Sequence, residues 1–429
     1  MTLTDRALRL HEDAPAGKIA TAITKPCATP DDLSLAYSPG VAAPCLAIAE
    51  DPEAVYRYTG RGNLVAVITN GTAVLGLGNI GPAAAKPVME GKAVLFKRFA
   101  GIDAFDIELA ATRVEDVVAA CTMLEPTFGG INLEDIKAPE CFAIERLLRE
   151  RLSIPVFHDD QHGTAVVVAA ALLSALACTG RQMSDIRVVL SGAGAGALAC
   201  AAHLKRLGLA DEQLLVCDSQ GVIYQGRPGV NESKAPFARR TAARTVTDAL
   251  VGADVFLGLS VGNSVPSAAL ADMTANPIVF GLANPDPDIP YGEIRATRPD
   301  AVVATGRSDY PNQVNNVLGF PGIFRGALDT RSSCINDAML MAATTAIGAV
   351  AQEPVPASVR ALYPGESLIW GRDYLIPKAF DPRVVVRVAT AVAAAAMKSG
   401  VARQPVDLVA YPGEVAARVE QPDVPALTR

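Results

Sequence analysis

The sequence predicts an α/β protein of two domains, the second built on a doubly wound parallel sheet. Three observations carry that prediction. Short apolar runs of strand length alternate with helix-length segments through most of the chain. One such run, Arg187-Val-Val-Leu-Ser, passes through Gly192-Ala193-Gly194-Ala195-Gly196 into an alanine-rich helix, and then to a second run, 214–217, that ends at Asp218. Later runs at 255–259, 278–282 and 302–304 each finish in a polar loop. That is the layout of a parallel sheet with a ligand at its carboxyl edge.

The totals fit this class. The chain has 429 residues, 50% hydrophobic and 19% charged, enough to bury two or three domain cores. Net charge is −7 with no run of Lys or Arg, which argues against nucleic acid and against an anionic membrane surface. Eight cysteines are scattered without C-x-x-C spacing, and Cys178, Cys200 and Cys217 sit in apolar runs, as small core residues do in a reducing compartment. Asp5, Glu12 and Asp13 occupy an N-terminus without an apolar block, so no signal peptide is expected. The longest apolar run, 165–178, is short for a bilayer span. A cytoplasmic protein is the expectation.

In chain order, residues 1–36 predict a helix or two. Tyr37-Ser-Pro-Gly then marks a turn, and position alone favours a core role for the tyrosine. Asn63-Leu-Val-Ala-Val-Ile-Thr-Asn reads as a buried strand. The glycines from Gly71 to Gly81 allow close backbone approach but lack the strand-to-helix phosphate pattern. Lys86, Lys92 and Lys97 follow in apolar surroundings. A lysine buried there or set beside a cation favours its neutral form and can act as a base. Lys97 is expected to reach solvent, while Lys86 and Lys92 stay unseparated.

The chemistry concentrates between Thr127 and Thr164. Two acidic pairs, Glu134-Asp135 and Asp159-Asp160, stand in otherwise apolar sequence, separated by a predicted helix over 139–152 and a strand over 154–157. Adjacent carboxylates resist burial unless a cation neutralises them, and hard oxygen ligands suit Mg²⁺ or Mn²⁺. The second pair falls where a strand ends and a helix apolar on every side begins, a helix expected to lie buried between domains.

The glycine loop at 192–196, with a strand before it, a helix after it and an acid at the next strand end, predicts a dinucleotide site. Asp218 favours ribose hydroxyls and so NAD, whereas Arg227 and Lys234 nearby attract a ribose phosphate. Asn284 and the Asn315-Asn316 pair are candidate amide contacts at the later strand ends. Residues 320–400 predict alanine-rich helices, and the segment from Arg403 on a tail that packs loosely or wraps a neighbour.

Tyr37-Ser-Pro-Gly-Val-Ala, Leu75-Gly-Leu-Gly-Asn-Ile-Gly-Pro, Pro87-Val-Met-Glu-Gly-Lys, Phe128-Gly-Gly-Ile-Asn-Leu-Glu-Asp-Ile-Lys-Ala-Pro-Glu-Cys-Phe, Val156-Phe-His-Asp-Asp-Gln-His-Gly-Thr and Pro311-Asn-Gln-Val-Asn-Asn-Val-Leu-Gly-Phe-Pro together resemble the small bacterial malic enzymes, from about Ala14 to Val406. The resemblance implies an N-terminal α/β catalytic domain over 1–160, a Rossmann-type NAD(P)-binding domain with C-terminal helices over 161–400, and a tail over 401–429. A phosphotransacetylase-like domain, present in some relatives, is not expected in a chain of this length. The implied reaction is oxidative decarboxylation of (S)-malate to pyruvate and CO₂, with NADP or NAD as cofactor and Mg²⁺ or Mn²⁺ required. The implied metal ligands are Glu134, Asp135 and Asp160. Tyr37 is implied as general acid, Lys92 rather than Lys86 as general base, and Asp159 as its neighbour. Gly192, Ala193, Gly194, Ala195, Gly196, Asp218, Asn284 and Asn316 are implied on the cofactor side. Larger eukaryotic relatives carry a malate-binding arginine where this chain has Thr72-Ala73, so the cation for the substrate carboxylate is unassigned. Lys234 stands where NADP-preferring relatives have a lysine. A homodimer or larger homo-oligomer is expected. The rival readings are a metal-independent NAD(P) dehydrogenase without decarboxylation and a non-catalytic nucleotide-binding protein.

Overall fold

The computed structural model describes residues 2–74 and 76–419. Leu75 of the Leu-Gly-Leu-Gly motif and residues 420–429 of the tail lie outside the described residues.

Four short helices open the chain: α1 (Leu3–Glu12), α2 (Pro30–Ala36), α3 (Ala42–Glu50) and α4 (Val55–Tyr58). Capping boxes start α1 and α2, where Thr2 and Asp5, and then Thr29 and Asp32, satisfy each other's backbone N–H groups. None of the four helices buries a residue. Tyr37, expected in the core, is 70% exposed, because nothing among the described residues packs over this segment.

The first sheet holds β1 (Leu64–Thr69), β2 (Asp103–Glu108), β3 (Gly130–Leu133) and β4 (Val156–His158) in the order β2-β1-β3-β4, all parallel. Helices α5 (Pro82–Ala100), α6 (Val114–Leu124) and α7 (Glu140–Arg151) make its connections. A π-helical turn at Asp159–Gly163 follows β4 directly and runs into α8 (Thr164–Thr179). The continuous helical stretch Asp159–Thr179 is longer than the apolar run suggested. By length and composition it could cross a membrane, but 67% of its apolar window is buried inside the protein.

The second sheet comprises β5 (Val188–Ser191), β6 (Leu214–Asp218), β7 (Gly221–Val222), β8 (Val255–Gly258), β9 (Ile278–Gly281) and β10 (Val302–Thr305), in the order β10-β9-β8-β5-β6-β7. The order turns back on either side of β5, which is the switch point where doubly wound sheets bind ligands. The strands are parallel except β7, which pairs antiparallel with β6 after a tight turn at Gly221 (φ +97°). Helices α9 (Ala195–Arg206), α10 (Val246–Leu250) and α11 (Tyr291–Thr297) belong to this half.

The chain closes with α12 (Phe320–Asp329), α13 (Asp337–Gln352), α14 (Ala357–Leu362), α15 (Arg383–Lys398) and α16 (Tyr411–Val419). Helix α8 packs between α9 and α13, and α12 packs on α15 and α5, so the C-terminal helices bind the two sheets together. Phe96 meets Phe320 and Phe324 at 4.7 and 5.1 Å between ring centres, and Phe324 meets Phe157 at 5.7 Å. This aromatic wedge joins α5, α12 and β4. The described part of the tail is no loose arm. Tyr411 is buried and donates to Asp329 Oδ2 at 2.7 Å, and Arg418 pairs with Asp329, which docks α16 on its own chain.

Candidate active site

Strand β3 ends at Leu133, so Glu134 and Asp135 leave the sheet at its carboxyl edge. Strand β4 beside it ends at His158 and delivers Asp159 and Asp160 to the same edge. One carboxylate oxygen each from Glu134, Asp135 and Asp160 lies within 4.8 Å of the others. Two oxygens on one Mg²⁺ at about 2.1 Å sit at most about 4.2 Å apart, so this donor set fits a divalent cation after a small closure. Asp135 adopts φ +54°, a strained region for a residue other than glycine, and its N–H donates to Asp160 Oδ2 at 2.7 Å. Asn132 Nδ2 donates to Glu134 Oε2 at 2.7 Å.

Asp159 has partners different from those of its neighbour Asp160. Its Oδ2 receives Lys92 Nζ at 2.5 Å and Asn316 Nδ2 at 2.5 Å. Lys92 Nζ also lies 3.0 Å from Glu134 Oε1 and 4.2 Å from the centre of the Phe320 ring. Lys92 is thus ion-paired with two buried carboxylates, Glu134 and Asp159, and the carboxylates of Asp135 and Asp160 crowd Glu134 further, a concentration of negative charge that is costly in a low-dielectric interior. Burial pushes the Glu134 carboxyl well above the usual carboxylate range. Lys92 pulls it down, while Asp159, Asp160 and Asp135 push it further up. Burial likewise raises Asp159 against the pull of Lys92. For Lys92, burial works against the charge, but Asp159 and Glu134 outweigh it and hold the ammonium above the ordinary lysine value.

Of the two lysines left open by the residues alone, Lys86 is exposed and pairs with Asp106 at 2.5 Å, while Lys92 is the buried one. Lys97 is exposed and pairs with Asp103. No hydrogen bond, ion pair or ring contact among the described residues joins the Tyr37 side chain to this cluster.

On the second sheet, the loop Gly192-Ala193-Gly194-Ala195-Gly196 leads from β5 into α9. Gly192 has φ +119°, and a Cβ there would lie 2.4 Å from the Leu259 carbonyl oxygen. A Cβ at Gly194 would meet nothing within 4 Å, which leaves the helix N-terminus open to a pyrophosphate. At Gly196 a Cβ would lie 2.9 Å from the Asp160 carbonyl oxygen, so the first turn of α9 rests on the backbone of the acidic turn. The two candidate sites thus share a wall. The glycine-rich stretch after β1 closes the cleft from the other side, since a Cβ at Gly76 would lie 2.5 Å from the Asn284 carbonyl oxygen. The Asn284 side chain is exposed in the loop after β9.

Asp218 ends β6 as expected but is not free. Arg227 donates to both its oxygens at 2.8 and 2.5 Å, and Lys234 Nζ lies 2.7 Å from Oδ2. Against the burial that would raise it, these two cations hold the Asp218 carboxyl far below the usual range.

Several participants gave no signal in the sequence. Phe320 under Lys92, Asn132 on Glu134 and the fully buried His158 sit in apolar runs and read as core. Asp288 is buried and accepts from Ser260 N–H at 2.9 Å and Ala283 N–H at 3.0 Å, tying the loops after β8 and β9 together. Gly163 is needed because a Cβ there would lie 1.8 Å from Asp159 Oδ1. A glycine three residues after an acidic pair was the one legible trace of that contact.

Comparison with known proteins agrees with this geometry. Residues 16–149 match the malic enzyme N-terminal domain and residues 161–369 the malic enzyme NAD binding domain. An NADP-dependent malic enzyme from Rhizobium meliloti (strain 1021) is 55% identical over 96% of this chain and 54% of its own length. An NAD-dependent malic enzyme from the same organism is 55% identical over 95% and 53%. The chain therefore spans about half the length of these curated relatives. The crystal structure of malic enzyme from Pyrococcus horikoshii Ot3 superposes with a TM-score of 0.85 at 42% identity, covering 98% of this chain and 96% of that one. With both halves matched and a relative of similar extent sharing the fold throughout, the chain belongs to the malic enzyme family.

Proposed function

We propose that this chain catalyses the oxidative decarboxylation of (S)-malate to pyruvate and CO₂ with reduction of NAD(P)⁺. The observation that carries the reading is the shared wall: a three-carboxylate cation site whose backbone supports the first turn of the dinucleotide helix. Substrate held at the first is then within reach of a nicotinamide held at the second. When bound, Mg²⁺ or Mn²⁺ at Glu134, Asp135 and Asp160 supplies Lewis-acid polarisation of the C2 oxygen.

The chain's own groups move the protons. Lys92 takes the C2 hydroxyl proton as hydride leaves C2. It does so in its neutral form, so this role requires the Glu134 charge to be balanced by something other than Lys92. Asp159, gripped by Asn316, keeps the Lys92 nitrogen aimed. As the C3–C4 bond breaks, its electron pair passes towards the C2 oxygen and CO₂ departs. Tyr37 then protonates C3. The division of labour is residues 1–160 for substrate and cation, and 161–400 for the cofactor.

NADP is the cofactor we favour. A ribose-binding acid must offer free lone pairs, and those of Asp218 are taken by Arg227 and Lys234. Two cations against one carboxylate leave a positive field suited to a 2′-phosphate. The working form is a homodimer or larger, supported by the exposed N-terminal segment that carries Tyr37. A cytoplasmic setting is supported by the thiols Cys121, Cys141, Cys200 and Cys217 buried in apolar surroundings.

The test is initial rates with malate, Mn²⁺ and each cofactor, with CO₂ measured alongside reduced cofactor. Equal amounts of the two products, both lost on chelation, are expected. Malate oxidation without CO₂ that survives the chelator would overturn the reading.

A further inference from the structure

His158 is the last residue of β4, two positions before Asp160, and its side chain is fully buried. Neither ring nitrogen has a hydrogen-bond partner among the described residues. A neutral imidazole always carries one N–H, and leaving a buried donor unsatisfied is costly. Its Nδ1 lies 3.6 Å from Asp160 Oδ2, just beyond hydrogen-bond length. A shift of about half an ångström would close that bond. The same Oδ2 already receives the Asp135 N–H, so a second donor would fix the carboxylate plane and turn Oδ1 towards Glu134 and Asp135.

We propose that His158 is a positioning residue for the cation site: its Nδ1–H holds Asp160 in the rotamer that presents a ligand oxygen. This rests on the reading that Glu134, Asp135 and Asp160 hold a divalent cation. Donors to the far side of a ligating carboxylate or imidazole typically change metal affinity about 10–100-fold. The role belongs to Nδ1 alone, which makes it separable from mere packing. An asparagine side chain places its amide nitrogen near the Nδ1 position, whereas a glutamine places it near Nε2.

The experiment is Mn²⁺ binding to the full chain, without cofactor or malate, followed by the loss of the free-ion electron paramagnetic resonance signal. Thermal unfolding in chelator serves as the folding control. His158→Gln should weaken Mn²⁺ binding about 10–100-fold and His158→Asn only a few-fold, at similar unfolding temperatures. Glutamine binding Mn²⁺ as well as asparagine would overturn the proposal, as would both variants matching the unaltered protein. Asp160→Asn separates the two levels of inference. If it binds Mn²⁺ like the unaltered protein, the cation site itself is misassigned; if it loses binding while both His158 variants keep theirs, only the role of His158 fails.

Discussion

Lys86 and Lys92 sit six residues apart on α5, about 240° around the helix, and so face opposite environments. One is half-exposed and pairs with Asp106, the other is buried against Asp159 and Glu134. Lys92→Ala should lower kcat for malate about 10²–10⁴-fold. Lys86→Ala should stay within a factor of two, since Lys86 bonds Asp106 and Glu108 and none of the four carboxylates of the candidate site. Equal losses in the two variants, read as malate-dependent formation of reduced cofactor, would remove Lys92 from the chemistry. Arg227 and Lys234 invite a second comparison. Charge-assisted hydrogen bonds contribute about 1.5–3 kcal/mol, so losing one should raise KM for NADP about 10–100-fold. Arg227→Ala also releases Asp218, and its KM for NAD should therefore fall or hold. If KM for the two cofactors rises in parallel, the cations bind something common to both rather than a 2′-phosphate. At this scale the sequence was partly legible. Neighbouring acids in an apolar stretch point to a cluster that needs positive charge, because buried carboxylates are costly unless a cation, a proton or hydrogen bonds compensate them. The direction each acid faces is set by the π-helical turn after β4, which separates Asp159 from Asp160, and no local pattern in the residues encodes it.

Helices α8, α9 and α13 carry the contact between the dinucleotide half and the C-terminal helices, and one buried histidine makes it sensitive to acid. His203 on α9 is buried, and its Nε2 shares a 2.8 Å hydrogen bond with Thr344 Oγ1 on α13. Burial, helped by Arg206 and His162, lowers its pKa to about 4 from an ordinary 6.5. Between those values the unfolded chain takes up a proton that the folded chain refuses. Stability from this group is therefore complete above about pH 6.5, falls as pH drops through the window, and levels off below about pH 4. The full difference is about 3 kcal/mol. His203→Gln keeps a donor or acceptor for Thr344 and does not titrate. It should lose less stability than the unaltered protein between pH 7.5 and pH 5 in urea unfolding, and an equally steep loss would show that other groups govern the acid limb. Elements themselves were the most legible level. Strand runs ended where β5, β8 and β9 end to within one residue, since a buried parallel strand is a continuous apolar run. The two-residue β7 escaped because its pairing depends on the Gly221 turn rather than on any apolar run. The docking of α16 escaped because one tyrosine and one arginine, Tyr411 and Arg418, do the fastening.

For the molecule as a whole, residues 19–50 pose the remaining question. Their hydrogen bonds stay within the segment and its immediate flanks among the described residues, and Ile23, Leu33, Leu35, Tyr37 and Leu46 are exposed together. Exposed apolar side chains gathered in one segment are what an interaction surface offers. In the role proposed for it, Tyr37 must nevertheless reach C3 of a substrate held beside Glu134, Asp135 and Asp160. The exposed segment and the role proposed for Tyr37 are reconciled if the segment crosses to a second copy and delivers Tyr37 to that copy's Lys92. In a two-fold dimer the exchange is mutual and every site is built from two chains. Co-expression of Tyr37→Phe and Lys92→Ala chains tests this directly. Each homodimer is defective at both sites, but a mixed dimer places both lesions in one site and leaves the other intact. Random assortment should then restore about a quarter of full activity in a mixture of two nearly inactive proteins. If Tyr37 instead serves the Lys92 of its own chain, every site carries one lesion and the mixture stays as inactive as its parents. Size-exclusion chromatography of both variants guards against the trivial case in which Tyr37→Phe simply fails to assemble. An inactive mixture that elutes as intact oligomers would therefore rule out the exchange.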